Sequence, residues 1–340
     1  MKKLIAVFLI IVMCFTMMSF TVTAEKPNIS TITNYEYGFK IQEYTDDFYR
    51  NIRSYSADDN FDTISEMVTL NTVDSVPYND AYIETKAILL ALGMSEDVVS
   101  KLSVETLSNY SVAESIISTI VYVKTDVDGN TTNISEKEAL EVVNSLTVND
   151  IESATMKATS VASVEENFSD NYMKISLFTT YLGGESYHFS ADAEWLTMPT
   201  WRSADSFGIC MNGHTVVRNS CLGWISYNKV PYSIFGTEII PMTEDWDKST
   251  FIIPVNNTYS GAAIAFGMKN DWVFGDSYTN YKVHVEFNTV ITNPDQALNF
   301  NVVATYHHTQ KSVDIDGVSV GIDSSGSDRK STRLNSSHII

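Results

Sequence analysis

Cysteine is nearly absent: Cys14, Cys210 and Cys221 are the only three in 340 residues. That excludes a disulfide-dense scaffold and a cysteine-rich metal module, so an apolar core must carry the fold. Proline is sparse too, at seven residues, which leaves long stretches free to run as helix or strand. Basic residues are scarce, with 22 Lys plus Arg against 42 Asp plus Glu. A body of that sign repels nucleic acid and anionic membrane surfaces. Beyond the first two dozen residues no apolar run is long enough to span a bilayer. What is present is a 44% hydrophobic share, with 11% aromatics, ample for packed cores. The length suggests about two domains.

The N-terminus reads MKKLIAVFLIIVMCFTMMSFTVTAEKP. Lys2 and Lys3 precede a short apolar run, and Val22-Thr23-Ala24 supplies small residues before Glu25. This is the pattern of a secretory signal peptide over 1–24, with cleavage expected after Ala24. Cys14 follows Met13, where lipid attachment wants a small residue, and belongs to the discarded apolar region. The expected location is extracellular, with cell-wall attachment left open. Residues 25–327 hold 17 basic and 41 acidic residues, a net charge of −24 that serves solubility or a cationic partner such as calcium.

Periodicity divides the chain. Over 25–151 the pattern is acidic and mostly helical, with a short hairpin. AYIETKAILLALG spaces Ile83, Ala87, Leu90 and Ala91 on one helical stripe, and Gly93 stands where a C-terminal glycine ends a helix. Ser95 and Ser103 are expected N-caps of two further short helices. IVYVKTDVDGNTTNISEKEALEVV predicts a strand, a turn, a short strand and a helix opened by the Ser135/Glu138 capping box. Residues 152–171 sustain neither period and are read as a linker.

From 172 to 327 the period is two. Tyr187, Phe189, Ala191, Ala193 and Trp195 alternate with His188, Ser190, Asp192 and Glu194, giving a strand with one buried face. Met173, Ile175 and Leu177 precede it on another strand. A three-residue loop, Gly183-Gly184-Glu185, sets Leu177 opposite Ala191 and Met173 opposite Trp195. A two-residue loop would put apolar against polar, because a one-residue slip flips every side chain. By the same logic Val283, Val285 and Phe287 pair with Phe300, Val302 and Ala304 across TNPDQA. Further strand-like runs occur at TFIIPV, GAAIAFGM and SVDIDGVSVGI. The expected fold class is α+β: a small, mostly helical N-terminal module, then an antiparallel all-β sandwich-like domain that the chain's end truncates.

Candidate sites are few. Gly275-Asp276-Ser277 has the nucleophile-block composition of GDS-type esterases, but no later Asp-x-x-His follows, and a turn between strands is the expectation. Catalytic residues are therefore not assigned, and a secreted hydrolase of non-obvious type, or a pore-forming toxin precursor, stands as the alternative function. In the second hairpin His284 and His307 lie diagonally near Glu286, a spacing suited to a shared metal ion. Glu244, Asp245 and Asp247 offer oxygens for calcium, whereas KTDVDGN fails the EF-hand spacing. Trp246, flanked by Asp245 and Asp247, leads the candidates for stacking on a ligand, with Trp201 and Trp272. Arg202 and Asp205 are expected to form a local ion pair. Cys210 and Cys221, an even pair in a secreted chain, are expected to bridge, provided that MNGHTVVRNS is a loop rather than a tight hairpin at Asn212-Gly213.

The signal peptide, LLALGMSEDVVSKLSVETLSNY, VKTDVDGNTTNISEKEAL, EWLTMPTWRSADSFGI and VATYHHTQKSVDIDGVSVGI together resemble uncharacterised secreted proteins of Gram-positive, Clostridia-like bacteria. That resemblance implies secretion and carries over no catalytic residue. DRKSTRLNSSH, residues 328–338, resembles the in-frame translation of a sequencing-library adapter. It implies that 328–340 is foreign to the protein and makes no stable contact with it. The function expected is non-enzymatic: a secreted β-sandwich protein that binds an extracellular or cell-surface ligand, glycan or protein.

Overall fold

The computed structural model describes residues 31–34, 39–46, 49–57, 82–126, 131–144, 171–197, 202, 204–231, 239–253, 259–271, 276–292, 301–308 and 331–337. The signal peptide, the Asp128-Gly129 turn, nearly all of the expected linker, Gly275, TNPDQA apart from Thr292, Phe300 and SVDIDGVSVGI lie outside them. Three strands come first, β1 (Thr31–Asn34), β2 (Lys40–Thr45) and β3 (Asn51–Ser56). Helices α1 (Ile83–Ala91), α2 (Glu96–Lys101) and α3 (Val104–Ser111) follow. Next are β4 (Ser115–Thr125), β5 (Thr131–Ile134) and helix α4 over 136–144. The remainder is strand: β6 (Asn171–Tyr181), β7 (Ser186–Trp195), β8 (Ala204–Asn212), β9 (His214–Val216), β10 (Leu222–Val230), β11 (Ile240–Trp246), β12 (Tyr259–Gly267), β13 (Ser277–Ile291), β14 (Asn301–His308) and β15 (Ser331–Ser337).

The local signals form as expected. Gly93, at φ +93°, closes α1: its N–H donates to Leu90 O and that of Met94 to Leu89 O, the paired bonds of a Schellman turn. Ser103 Oγ accepts from Thr106 N at 3.0 Å, and Ser135 Oγ from Glu138 N at 3.2 Å. Ser95 occupies the N-cap of α2 without a capping bond. The stripe on α1 is rotated from the expected one: Thr85, Ile88, Leu89 and Ala91 are buried, whereas Ile83 and Leu90 face outward.

The β6–β7 hairpin has the expected register, with Met173 opposite Trp195 and Leu177 opposite Ala191. Gly183 and Gly184 take the positive φ values of 91° and 62° that the three-residue loop requires. β6 then pairs along its other edge with all of β4, from Thr125↔Asn171 to Ser115↔Tyr181. The N-terminal strands therefore continue the sheet of the C-terminal half, in the order β1-β2-β3-β4-β6-β7-β13-β10-β11, with β5 on β4 and β9 on β13. Among the described residues the N-terminal half mixes helix and strand rather than forming a separate helical module: it supplies five strands, and its short helices serve as a layer on a sheet whose strands pair far along the chain.

The second hairpin is not formed. β13 lies in the large sheet, whereas β14 pairs with β8 and β15 in a second, four-stranded sheet ordered β12-β8-β14-β15. Alternation identified the buried faces of both strands but not their partners: Val283, Val285, Phe287, Val302 and Ala304 all enter one core between the two sheets. Asn212-Gly213 does not turn a two-strand hairpin either. The chain crosses there from β8 in one sheet to β9 on β13 in the other.

The inter-sheet core gathers Leu177, Phe189, Trp195, Phe207, Ile264, Tyr281 and Phe287, among others. A second core lies on the opposite face of the large sheet, where α1–α3 set Leu89, Leu92, Val98 and Leu107 on Ile116, Phe178 and Trp224. The molecule is a β-sandwich with a helical third layer. β15 pairs with the outer edge of β14 from Asn301↔Ser337 to His307↔Ser331, contrary to the expectation that the adapter-like segment touches nothing. An open edge offers a row of backbone donors and acceptors that asks little of the added side chains.

Candidate functional site

The face of β7 and β13 turned away from the inter-sheet core carries the polar half of their alternation, and α1–α3 seal it. His284 is buried between two carboxylates: Nδ1 donates to Asp192 Oδ1 at 2.7 Å and Nε2 to Glu286 Oε2 at 3.0 Å. Burial alone pulls the imidazole down, but Asp192 and then Glu286 push it up to about 10, so it is an imidazolium. Glu286 is raised by burial, yet the His284 hydrogen bond and charge hold it below the usual carboxylate range. Its other oxygen accepts from Thr106 Oγ1 on α3. His188 Nδ1 donates to Asn288 Oδ1 at 2.8 Å. Its Nε2 has no hydrogen-bond partner and stands 3.8 Å from Glu286 Oε2. Burial lowers this imidazole, which is neutral.

Lys282, next along the face, joins Glu194 at 2.9 Å and Asp97 of α2 at 2.5 Å. Tyr110 of α3 shares a 2.6 Å hydrogen bond with Ser190, and Trp224 stacks on the His284 ring at 5.4 Å under the Lys101 ammonium. A small recess beside α2 is lined by Ser95, Lys174, Ser176, Asp192, Glu194 and Lys282. Chemically the network clamps the helices to the sheet.

A second cluster is half-exposed. Tyr281, fully buried, stacks on Tyr227 at 5.0 Å, and Tyr227 meets Tyr278 edge-on at 5.8 Å, so an aromatic ladder climbs from core to surface. Lys269 lies over the Tyr227 ring at 4.7 Å and donates to its hydroxyl, which donates to Glu244 Oε1 at 2.8 Å. The Tyr227 hydrogen bond holds Glu244 below the usual carboxylate range. Arg202 braces the end of the ladder with two bonds to Asp271, at 2.8 and 2.9 Å, and exchanges backbone bonds with the Asn270 side chain. Arg202 therefore pairs with Asp271 rather than Asp205, which accepts instead from Tyr306. The Asp271 carboxylate, 69 positions distant in sequence, accepts both arms of the guanidinium fork and outcompetes the near neighbour.

Other expected sites fare differently. His284 and His307 do not meet, because their strands belong to opposite sheets with the core between them. Glu244 is engaged by Tyr227 and Lys269, and Asp247 accepts from Ser249 N at 2.7 Å in a turn, so Glu244, Asp245 and Asp247 are not brought around one point. Among the described residues no group of three or more His, Cys, Asp or Glu is arranged to hold a metal ion. Trp246 is only partly exposed: it stacks on Phe266 at 5.7 Å at the margin of the core. Trp201 and Trp272 lie outside the described residues. Asp276 pairs with Lys229 at 2.8 Å and Ser277 opens β13, the turn-and-strand reading of that segment. Cys210 and Cys221 are not joined by a disulfide in this structure. Cys221 sits in the inter-sheet core, whereas Cys210 alternates with the inward Ile209 and Met211 and so points away from it.

The buried network escapes sequence reading because His188, Asp192, His284 and Glu286 occupy the positions that alternation assigns to water. The available signal was two histidines and two carboxylates on polar positions of two strands; that those strands are neighbours is a tertiary fact. Among the described residues no helix is long and apolar enough to cross a membrane.

No family model matches the chain, and no curated protein matches it. Among solved structures it is similar to ACE19, the collagen-binding subdomain of the Enterococcus faecalis surface protein ACE, at 8% identity and a TM-score of 0.19, over 46% of this chain and 86% of that one. A second is AvmM, which catalyses macrocyclization in alchivemycin A biosynthesis, at 7% identity and a TM-score of 0.21, over 46% and 82%. A third is the C-terminal domain of the Streptococcus agalactiae AgI/II polypeptide BspA, at 9% identity and a TM-score of 0.19, over 44% and 58%. Likeness at that level transfers no activity to this chain.

Proposed function

We propose that this chain is a secreted, non-enzymatic β-sandwich protein that binds an extracellular glycan at the Tyr227–Tyr278 end of the sandwich. One observation carries the reading: the ladder ends in a half-buried Tyr278 rimmed by partly exposed Lys269, Glu244, Asp271 and Asp276. An aromatic ring with charged hydrogen-bonding groups at its edge suits a sugar, whose apolar face stacks while its hydroxyls bond. His188, His214 and His284, by contrast, are buried within the protein. Trp201 and Trp272 adjoin Arg202 and Asp271 in sequence. Secretion rests on the leader at 1–24.

The test pairs a glycan array and an extracellular-protein array with a turnover screen on ester, peptide and glycoside substrates. Glycan binding that Tyr278→Ala weakens about tenfold, the equivalent of about 1.4 kcal/mol, is the expected result. Retention on proteins alone, or catalytic turnover, overturns it.

A further inference from the structure

We propose that α2 and α3 form an acid-released latch over the polar face of β7 and β13, opening while the sandwich beneath stays folded. α3 is a weakly apolar helix: it buries Thr106, Leu107 and Tyr110 and leaves Val104 and Val112 exposed. The hold of α2 and α3 on the sheet joins an apolar part, Val98, Val99, Leu107 and Tyr110 in the second core, to a set of polar links. Thr106 reaches Glu286, Tyr110 reaches Ser190 and Asn109 reaches Asn288, while Asp97 of α2 reaches Lys282. The inter-sheet core shares none of these residues.

The junction is also incompletely satisfied. Ser95 Oγ, Asp192 Oδ2 and His188 Nε2 are buried there with no hydrogen-bond partner in the protein. Such atoms are costly while the latch is shut and regain hydrogen bonds when it opens to water. The charged and titratable groups that meet at this junction are Asp97, Lys101, Glu105 and Tyr110 from the helices, Lys174 from β6, His188, Asp192 and Glu194 from β7, and Lys282, His284 and Glu286 from β13. Asp245 also acts on Lys101.

Three of them push toward opening as pH falls. Glu286 and Asp97 titrate below their unfolded values, so their contribution is present at neutral pH and is lost as pH drops through the folded values. His188 is depressed by burial, so open states bind its proton more readily. Protonation of Glu286 and Asp97 would then weaken the Glu286 bond to His284 and break the Lys282–Asp97 link. The opened face presents His188, Ser190, Asp192, His284 and Glu286 to solvent.

Hydrogen exchange of the full chain, corrected for intrinsic rates, tests the proposal between pH 7.5 and pH 3. Amides of 96–112 are expected to exchange at least tenfold faster at the acid end, while those of β6, β7 and β13 keep their protection. Simultaneous loss across helices and strands, or unchanged protection of 96–112, overturns it. Glu286→Gln should raise exchange of 96–112 at pH 7.5 and flatten its pH dependence. Should that variant fail to fold, Asn109→Ala, which removes one link from the helix side and no buried charge, should still shift the opening to higher pH; an unshifted midpoint also overturns the latch.

Discussion

Replacing His284 with alanine removes the one cation between two buried carboxylates, Asp192 and Glu286. Deleting one partner of a buried ion pair costs about 3–5 kcal/mol, because the charge left behind has lost both water and partner. The titration gives a similar figure: an imidazole raised from 6.5 to about 10 corresponds to about 5 kcal/mol at about 1.4 kcal/mol per pH unit. The sign follows from linkage. A group whose pKa is raised in the folded state contributes fully below its unfolded value, and the contribution fades as pH climbs through about 10. Guanidinium melts of the wild type and His284→Ala, followed from pH 6 to 11, measure it. The stability difference should be about 3–5 kcal/mol near pH 6 to 7 and shrink by about 1.4 kcal/mol per pH unit above that, with most of the charge-linked part gone by about pH 10. A neutral-pH loss below about 1 kcal/mol, or a difference constant across that range, would refute the placement of a charged His284 between the two acids.

Gly93→Ala should destabilise by about 1–3 kcal/mol: the left-handed φ of +93° is strained for alanine, and its Cβ would stand 2.2 Å from Ile120 Cδ1. A thermal melt checks it, and an unchanged midpoint contradicts the Schellman end of α1. Thiol titration of denatured, unreduced protein should find both Cys210 and Cys221 titratable, since Cys221 lies in the inter-sheet core and Cys210 on the outer face of the small sheet; no titratable thiol from this pair would mean that they bridge. Cys221, pushed up to about 11 by burial, should react slowly in the folded protein at pH 8 while denaturation restores ordinary rates.

Short-range physics was legible in the sequence. The β6–β7 register followed from period-two alternation and one loop length, because only an odd loop sets Leu177 against Ala191. Ser103, Ser135 and Gly93 marked helix ends through bonds that span a few residues. Alternation also told which side chains of β13 and β14 enter a core. Alternation gives the parity of a face, not the partner of an edge, so it could not say that β13 and β14 belong to different sheets or that β4 pairs with β6. Those choices are competitions among distant strands with similar backbone edges, decided by which pairing closes both cores at once. The face of α1 was likewise set by what lay beneath it: Leu89 and Leu92 found Ile116 and Phe178, and Ile83 and Leu90 were left outside. His188, Asp192, His284 and Glu286 read as a solvated face because their alternation is the alternation of one. Only the tertiary structure, by laying α3 across them, turned four polar positions into a desolvated charge network, since a charge is perturbed by the groups that replace its water rather than by its neighbours in the chain.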